Sequence, residues 1–217
     1  MNSYFATSAI GYLLGSIPFG YLLVRMFTGE DVRASGSGNI GATNVARKSP
    51  ALGIATLLFD TAKGLAAVLL ARALFSGTHQ QLIMTTAAFF AVFGHLFPVW
   101  LKFRGGKGVA TSLGAFILLT PKSILCMVVV FLIVAVAFRY VSLASVSAAV
   151  AFPLLAWGLH EYVDPRQLIL IVLVSALVIW KHRQNILRLV GGTESKFGTK
   201  SGTESDVKPG TLGANRR

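Results

Sequence analysis

The stretch SILCMVVVFLIVAVAF, residues 123–138, contains no charged side chain and lies just after Lys122 and just before Arg139. An apolar run of roughly 20 residues crosses a bilayer as a helix, and shorter runs suffice where the bilayer thins or protein shields the helix. Six further apolar runs flank this stretch, at residues 4–27, 51–75, 81–101, 109–120, 143–159 and 167–180. The sequence therefore predicts an all-α integral membrane protein with about seven transmembrane helices, joined by re-entrant or glycine-rich loops.

The composition supports a membrane location and bears on partners. Of the 217 residues, 54% are hydrophobic and only 13% are charged, which is too apolar for a soluble domain of this size. A net charge of +12 would suggest nucleic acid in a soluble protein, but in a membrane protein basic residues usually report orientation. The single cysteine, Cys126, lies inside an apolar run, which excludes a disulfide within the chain. We expect no nucleic-acid partner, no metal and no cofactor.

Lysine and arginine residues are distributed unequally between the two sides that seven spans define. One side receives 16 of them, and the other receives only Arg72, Lys122 and Arg166. The positive-inside rule places the richer side in the cytoplasm, with the N-terminus outside and the C-terminus inside. No basic residue precedes the first run and no small-residue cleavage site follows it, so we expect a multi-pass protein of the inner (plasma) membrane that keeps this segment. If the short run 109–120 did not cross the membrane, the later loops would change sides and the difference in Lys and Arg count between the two sides would be less clear.

The composition changes near the C-terminus. From Gly191 onward the chain is rich in Gly, Ser, Thr and charge, and the sequence GTES at 192–195 recurs at 202–205. Such a segment buries too little apolar surface to order itself. We predict one transmembrane domain over residues 1–192 and a flexible cytoplasmic tail over residues 193–217. No longer internal repeat is visible, so the paired halves of many transporters are absent.

The first loop reads SGSGNIGATNVAR over residues 35–47. Its Gly-x-Gly-x-x-Gly spacing matches the dinucleotide fingerprint, but that fingerprint requires a βαβ unit, and membrane spans flank this loop. Glycines still allow backbone N–H groups to approach an anion closely, and Ser37, Thr43 and Asn44 add donors. An oxyanion site is one interpretation, and a flexible loop with ordinary turn glycines is the other.

The second loop contains GGKG at residues 105–108. It lacks the spacing of a Walker A motif, yet it places Lys107 among three glycines that lead into a helix. Helix N-terminal amides attract phosphate, so this environment suits a phosphate group. Lys102 and Arg104 are equally explained by the positive-inside rule.

The last cluster, KHRQNILR at residues 181–188, contains His182 and Asn185 three positions apart, which predicts a convergent polar patch. The alternative is a basic collar at the membrane exit, which we favour for Lys181 and Arg183. Inside the spans, Asp60 is a functional candidate because buried carboxylates are costly in lipid, but Lys63 three positions on favours a self-neutralising structural pair. His95 is interpreted as a hydrogen-bonded packing residue.

These motifs together, at 36–47, 105–108 and 182–185, resemble the three cytoplasmic motifs of the PlsY family, the bacterial acyl-phosphate:glycerol-3-phosphate acyltransferases. The resemblance extends from about residue 12 to residue 194, and the segments 58–64 and 139–145 also resemble segments of that family at the same places.

The resemblance implies transfer of an acyl group from acyl phosphate to the 1-hydroxyl of glycerol 3-phosphate. The products would be lysophosphatidic acid and inorganic phosphate, in the first acylation step of bacterial phospholipid synthesis. It also implies seven spans with a cytoplasmic active site, so that residues 1–192 form the catalytic domain. The implied partners are both substrates, membrane lipid and, through functional coupling, the enzyme that makes acyl phosphate.

By position, the resemblance implies catalytic roles for His182, Ser37 and Lys107. The residues that it implies in substrate binding are Gly36, Ser37, Gly38, Asn39, Thr43, Asn44, Arg47, Gly105, Gly106, Lys107, Gly108, Ser145, His182, Asn185 and Glu194.

Three alternatives stay open on the sequence alone. Acyl-CoA also carries phosphates, so the donor assignment depends on the resemblance. Acyltransferases with a His-x4-Asp pair make the same product, but here His160 and Asp164 are one position too close and lie on the outer side. A transporter for an organic phosphate would need polar residues along a transmembrane path, which the spans nearly lack. For the hydroxyl proton, our hypothesis is a substrate phosphate oxygen as acceptor, with His182 as the alternative.

Overall fold

The computed structural model describes residues 2–198, in which all regular secondary structure is helical and no strand occurs. In chain order the helices are α1 Asn2–Ser16, α2 Phe19–Thr28, α3 Ala42–Lys48, α4 Pro50–Leu74, α5 Gln80–Leu96, α6 Val109–Phe116, α7 Pro121–Phe138, α8 Val141–Gly158, α9 Pro165–Lys181 and α10 Arg183–Val190. Short 3-10 turns occur at Val32–Ala34 and Val99–Leu101. The all-α prediction is confirmed.

Five stretches of the described chain are long and apolar enough to cross a membrane, and α9 with α10 gives a sixth if this bent pair is one span. The first stretch, Ser3–Thr28, combines α1 and α2. The sequence predicts one apolar run over residues 4–27, but the helix breaks before Pro18, whose backbone nitrogen has no hydrogen to donate. The break leaves the Ile17 carbonyl oxygen free to accept a hydrogen bond from Lys63 Nζ at 2.7 Å.

Helix α6 is the short fourth run, and its eight residues extend only about 12 Å. It is largely buried. At the start of α7, the Lys122 and Ser123 amides donate to the Glu161 carboxylate, in the connection between α8 and α9, at 2.9 and 2.7 Å. At the other end of α7, Arg139 contacts Phe197. The count of seven spans stays a prediction, because α6 alone is too short for the hydrocarbon core.

Small residues bring the central helices into close contact. A Cβ added to Gly15 of α1 would overlap the Ala91 backbone of α5, and one added to Gly94 would overlap the Tyr12 backbone. Membrane helices associate through such small residues because lipid supplies little hydrophobic driving force between them. The resulting core is apolar and contains Val68, Val92, Leu96, Phe116, Phe152 and Val174. This packing fixes the loops at the helix ends on one side, where the predicted motifs lie.

Candidate active site

Asn44 organises the first loop from inside. Its side chain is buried, and its Oδ1 accepts a hydrogen bond from the Ser37 amide at 2.9 Å. Its Nδ2 donates to three carbonyl oxygens, those of Val32, Ser35 and Asn39, at 3.1, 3.1 and 2.9 Å. The side chain therefore shapes the loop, and direct contact of Asn44 with a substrate stays a prediction.

The exposed side of this loop contains the remaining predicted residues. Gly36, Ser37, Gly38, Thr43 and Arg47 are all exposed. Gly36 has a φ of 59°, a conformation that favours glycine, and a Cβ added there would lie 3.5 Å from the Arg47 guanidinium. The Asn39 side chain accepts a hydrogen bond from the Gly41 amide at 2.8 Å, just before α3. Ser37 is therefore near Arg47, which is at the end of α3.

The second loop is attached to the last turn of α5. The Gly105 and Gly106 amides donate to the carbonyl oxygens of Leu96 and His95 at 3.2 and 3.1 Å. These bonds satisfy carbonyl groups that a helix C-terminus leaves unpaired. The two glycine amides are thus used within the protein, and their predicted contact with phosphate stays untested. Gly108, with a φ of 87°, ends the loop at the N-terminus of α6.

Lys107 is the residue of this loop that carries charge into the site. Burial lowers the pKa of Lys107 to about 8, and the positive charges of Arg188 and Arg47 act in the same direction. The negative charge of Glu194 opposes them. Lys107 is consequently within electrostatic reach of both the first loop and the C-terminal segment.

His182 is at the break between α9 and α10, and it is buried. Its Nδ1 is 2.8 Å from the Val178 carbonyl oxygen, which can only accept, so Nδ1 carries the proton and Nε2 is left as an acceptor. Burial and the nearby charge of Lys107 lower the pKa of His182 to about 4, although the Val178 bond and Glu194 oppose this shift. The imidazole is therefore neutral near pH 7.

Glu194 connects the end of the described chain to α10. Its carboxylate accepts hydrogen bonds from Asn185 Nδ2 at 2.6 Å and from Arg188 Nε at 2.7 Å. Burial would raise the pKa of Glu194, but the hydrogen bonds from Asn185 and Arg188 outweigh it and lower the pKa. Glu194 is therefore a carboxylate that orients the polar face of α10.

The three predicted motifs meet on one side of the helix bundle. Lys107 interacts electrostatically with Arg47 of the first motif, and His182 interacts with both Lys107 and Glu194. Ser37 has only an indirect connection to this cluster, because it lies in the same loop as Gly36, near Arg47. The predicted pairing of Asp60 with Lys63 is confirmed, since their charged atoms are 2.7 Å apart and both side chains are buried.

Ser145 is buried in α8. Its Oγ donates to the Val141 carbonyl oxygen at 2.8 Å, and it lines a small apolar cavity of about 30 Å³ with Ser112, Ser175 and Val109. Val109 is two residues after Lys107, so the second loop leads directly to this cavity.

Arg188 and Ser142 act on Glu194 but are not among the predicted substrate-binding residues. The spacing already places Arg188 with Asn185, three positions before it on one helix face. No sequence signal marks Ser142, the second residue of α8.

The tail prediction concerns residues that are mostly outside the described range. Within residues 193–198, Glu194 binds α10, and the Phe197 amide donates to the Arg139 carbonyl oxygen at 2.7 Å. Residues 199–217 lie outside the described residues, and the predicted boundary after residue 192 stays a prediction.

The fold defines a multi-pass membrane protein, and its loops bring together a cluster of charged residues. The family described as glycerol-3-phosphate acyltransferase matches residues 5–192. The chain is 49% identical over 192 residues to a glycerol-3-phosphate acyltransferase of Agrobacterium fabrum, covering 88% of this chain and 90% of the relative. It is 41% identical to that of Ehrlichia canis, covering 91% of this chain and 100% of the relative.

A solved structure gives the same result. The glycerol 3-phosphate form of PlsY, an integral membrane glycerol 3-phosphate acyltransferase, is 38% identical and superposes with a TM-score of 0.83, covering 91% of this chain and 96% of that one. Its lysophosphatidic acid form has a TM-score of 0.80 at 36% identity, with the same two coverages. The chain belongs to the glycerol-3-phosphate acyltransferase (PlsY) family.

Proposed function

We propose that this protein transfers an acyl group from acyl phosphate to the 1-hydroxyl of glycerol 3-phosphate. The observation that carries the proposal is that Lys107 lies within electrostatic reach of Arg47, His182 and Glu194. Both substrates bear phosphate, so the reaction needs adjoining anion sites more than a set of catalytic carboxylates. Family membership supplies glycerol 3-phosphate as the acceptor, and acyl phosphate as donor rests on the resemblance of the motifs.

The phosphate of glycerol 3-phosphate binds at the cations of the cluster. Lys107 is mostly buried and its positive charge has few competing water molecules, which strengthens its attraction for a dianion. Arg47 is exposed at the end of α3, so its guanidinium can turn toward an incoming phosphate. Asn185, oriented by Glu194, supplies a neutral donor or acceptor on the opposite side.

The chemical step is one displacement at the acyl carbonyl. The 1-hydroxyl oxygen of glycerol 3-phosphate forms a bond to the carbonyl carbon, and the bond from that carbon to the phosphate oxygen breaks. Phosphate leaves with the electron pair and is a good leaving group, so a strong general acid is unnecessary. The hydroxyl proton goes to a phosphate oxygen of a substrate, and the free Nε2 of His182 is the alternative acceptor.

The acyl chain of the donor lies in the membrane while its phosphate head is at the cluster. This arrangement orients the carbonyl toward the acceptor hydroxyl, so that the bimolecular reaction proceeds as an effectively unimolecular step. Ser145 and Val109, which is two residues from Lys107, line the same small cavity. Because the donor is amphiphilic, functional coupling to the enzyme that makes acyl phosphate would limit its loss to water.

The protein lies in the bacterial inner membrane with this site in the cytoplasm and the N-terminus outside. The unequal distribution of Lys and Arg supports this orientation. In a Cys126→Ala background, a cysteine at exposed Thr78 should react with an impermeant maleimide on intact cells. A cysteine at exposed Gln184 should react only after permeabilisation, and the reverse pattern would contradict the orientation.

The site itself is tested by single substitutions in purified protein. Arg47→Ala, Lys107→Ala and Asn185→Ala should each raise KM for glycerol 3-phosphate or lower kcat, by at least about tenfold where a charged hydrogen bond is lost. Lys102→Ala is the matched control, because Lys102 is an exposed cation in the same loop region. Equal behaviour of all four variants would contradict the proposed site.

A further inference from the structure

Three ionisable side chains are buried between α4 and α5, beneath the Lys107 loop. Asp60, Lys63 and His95 are each at most 4% exposed. Asp60 Oδ1 is 2.7 Å from Lys63 Nζ and 3.6 Å from His95 Nδ1. Ionisable groups inside a membrane protein are costly and are retained where they serve a purpose. The chemistry proposed above does not use any of the three.

The group is fixed on two sides. Lys63 Nζ donates to the Ile17 carbonyl oxygen at 2.7 Å, at the break between α1 and α2. Asp60 and Lys63 are one turn apart on α4, so their pairing holds the carboxylate against the histidine of α5. The imidazole of His95 is thereby held between a carboxylate on one side and the second loop on the other.

The other side of the imidazole faces Gly106. A Cβ added to Gly106 would overlap His95 Nε2 and would lie 2.8 Å from Cε1 and 3.1 Å from Cδ2, both in the same ring. Gly106 also donates its amide to the His95 carbonyl oxygen at 3.1 Å. The main chain that precedes Lys107 therefore lies directly on the His95 ring.

Gly105 provides an informative contrast. A Cβ added there would overlap the carbonyl oxygen of His95 and lie 2.8 Å from that of Leu96, which are backbone atoms. Shortening the His95 side chain would make room at position 106 but not at position 105.

We propose that His95, held by Asp60 and Lys63, is a positioning residue. Through its contact with Gly106, it fixes the distance of the Lys107 loop from the end of α5. Position 106 requires glycine because the imidazole occupies the space of a side chain. This inference rests on the proposed role of Lys107 in binding the phosphate of glycerol 3-phosphate.

A double-mutant cycle tests this inference. His95→Asn keeps a nitrogen near Asp60 and removes the Nε2 and Cε1 atoms that an alanine at position 106 would meet. Gly106→Ala alone should raise KM for glycerol 3-phosphate about tenfold or more while changing kcat less, because the loop shifts. The double variant should recover most of that loss, with a coupling of about tenfold, which lies within the range of contacting residues.

The matched cycle pairs His95→Asn with Gly105→Ala, and its effects should multiply, since the obstruction there is backbone. Multiplicative effects in both cycles would overturn the inference. If Gly106→Ala alone does not fold, recovery of folded, active protein in the double variant but not in the Gly105 double variant supports it. Failure of both doubles, with His95→Asn folded and its KM unchanged, overturns it.

Lys107→Ala, assayed in parallel, separates the two proposals. An unchanged KM for glycerol 3-phosphate in that variant would contradict the proposed phosphate site, whatever the cycles give. A raised KM there together with multiplicative cycles would contradict only the positioning role of His95.

Discussion

The Asn185 side-chain amide donates a 2.6 Å hydrogen bond to the Glu194 carboxylate, and so joins α10 to the segment that follows it. Arg188 donates to the other carboxylate oxygen at 2.7 Å. Glu194 therefore orients two side chains of α10. In the proposed function, Glu194 acts on the substrate through these groups, because it is not itself a cation.

The Glu194 contacts should make the stability of the fold depend on pH in the acidic range. Hydrogen bonds lower the pKa of Glu194 in the folded protein, so the carboxylate stabilises the fold above its unfolded pKa of about 4.3, and that contribution is lost as pH falls through the lowered value. Glu194→Gln should therefore lower the apparent Tm at pH 7. The difference in Tm from the wild type should shrink below about pH 4. A difference that stays constant down to pH 3 would show that the charge is unimportant.

Lys107 should impose an alkaline limit on substrate use. Burial lowers the pKa of Lys107 to about 8, so the free protein loses this charge as pH rises through 8. We expect kcat/KM for glycerol 3-phosphate to fall about tenfold per pH unit above that value. Lys107→Arg, which stays charged, should remove this limb even if its activity is lower. As a control, the rate at which acyl phosphate hydrolyses without protein is measured at each pH. If the arginine variant shows the same fall in kcat/KM at alkaline pH, the fall belongs to another group.

His182 distinguishes the two proton acceptors. Burial and Lys107 lower the pKa of His182 to about 4, so its protonation cannot produce a limb between pH 5 and 8. A limb near the second phosphate pKa of about 6 should appear in the wild type and persist in His182→Gln. Near-normal kcat with a raised KM in this variant excludes His182 as the base. A fall in kcat of several orders of magnitude would contradict substrate assistance.

Asn44 should matter for stability before it matters for chemistry. Asn44→Ala removes four hydrogen bonds of a buried side chain, for an expected loss of about 2–4 kcal/mol of unfolding free energy. The apparent Tm should fall clearly, and KM should rise because Ser37 and Arg47 move. Thr43→Ala is the matched control for Tm, since Thr43 is exposed on the same helix. Equal Tm values for the two variants would contradict the internal role of Asn44.

The helical membrane fold could be predicted from apolar runs because hydropathy and run length are local properties. The break before Pro18 was also visible in principle, since proline removes a helix hydrogen bond, but the apolar run continues across it. The length of α6 was harder to predict from the sequence. A short helix can lie among other helices, and the run 109–120 does not reveal how much protein surrounds it.

The sequence could predict that charged and polar residues at the ends of spans lie near each other, and their role in a site stays a prediction. Lys107 acts on His182, and Asn185 binds Glu194, which acts on both. The hydrogen-bond partners of the glycine amides and of Asn44 could not be predicted in this way. Their hydrogen bonds go to carbonyl groups that only the folded chain brings near, so no local pattern could show that Gly105, Gly106 and Asn44 bind inside the protein.

The most direct test of the central claim compares acyl donors. Purified protein is given glycerol 3-phosphate with either palmitoyl phosphate or palmitoyl-CoA, and lysophosphatidate and inorganic phosphate are measured. We expect both products in equal amounts with palmitoyl phosphate, and neither with palmitoyl-CoA. Formation of lysophosphatidate from palmitoyl-CoA alone would contradict the proposed donor, and no lysophosphatidate from either donor would contradict the proposed reaction.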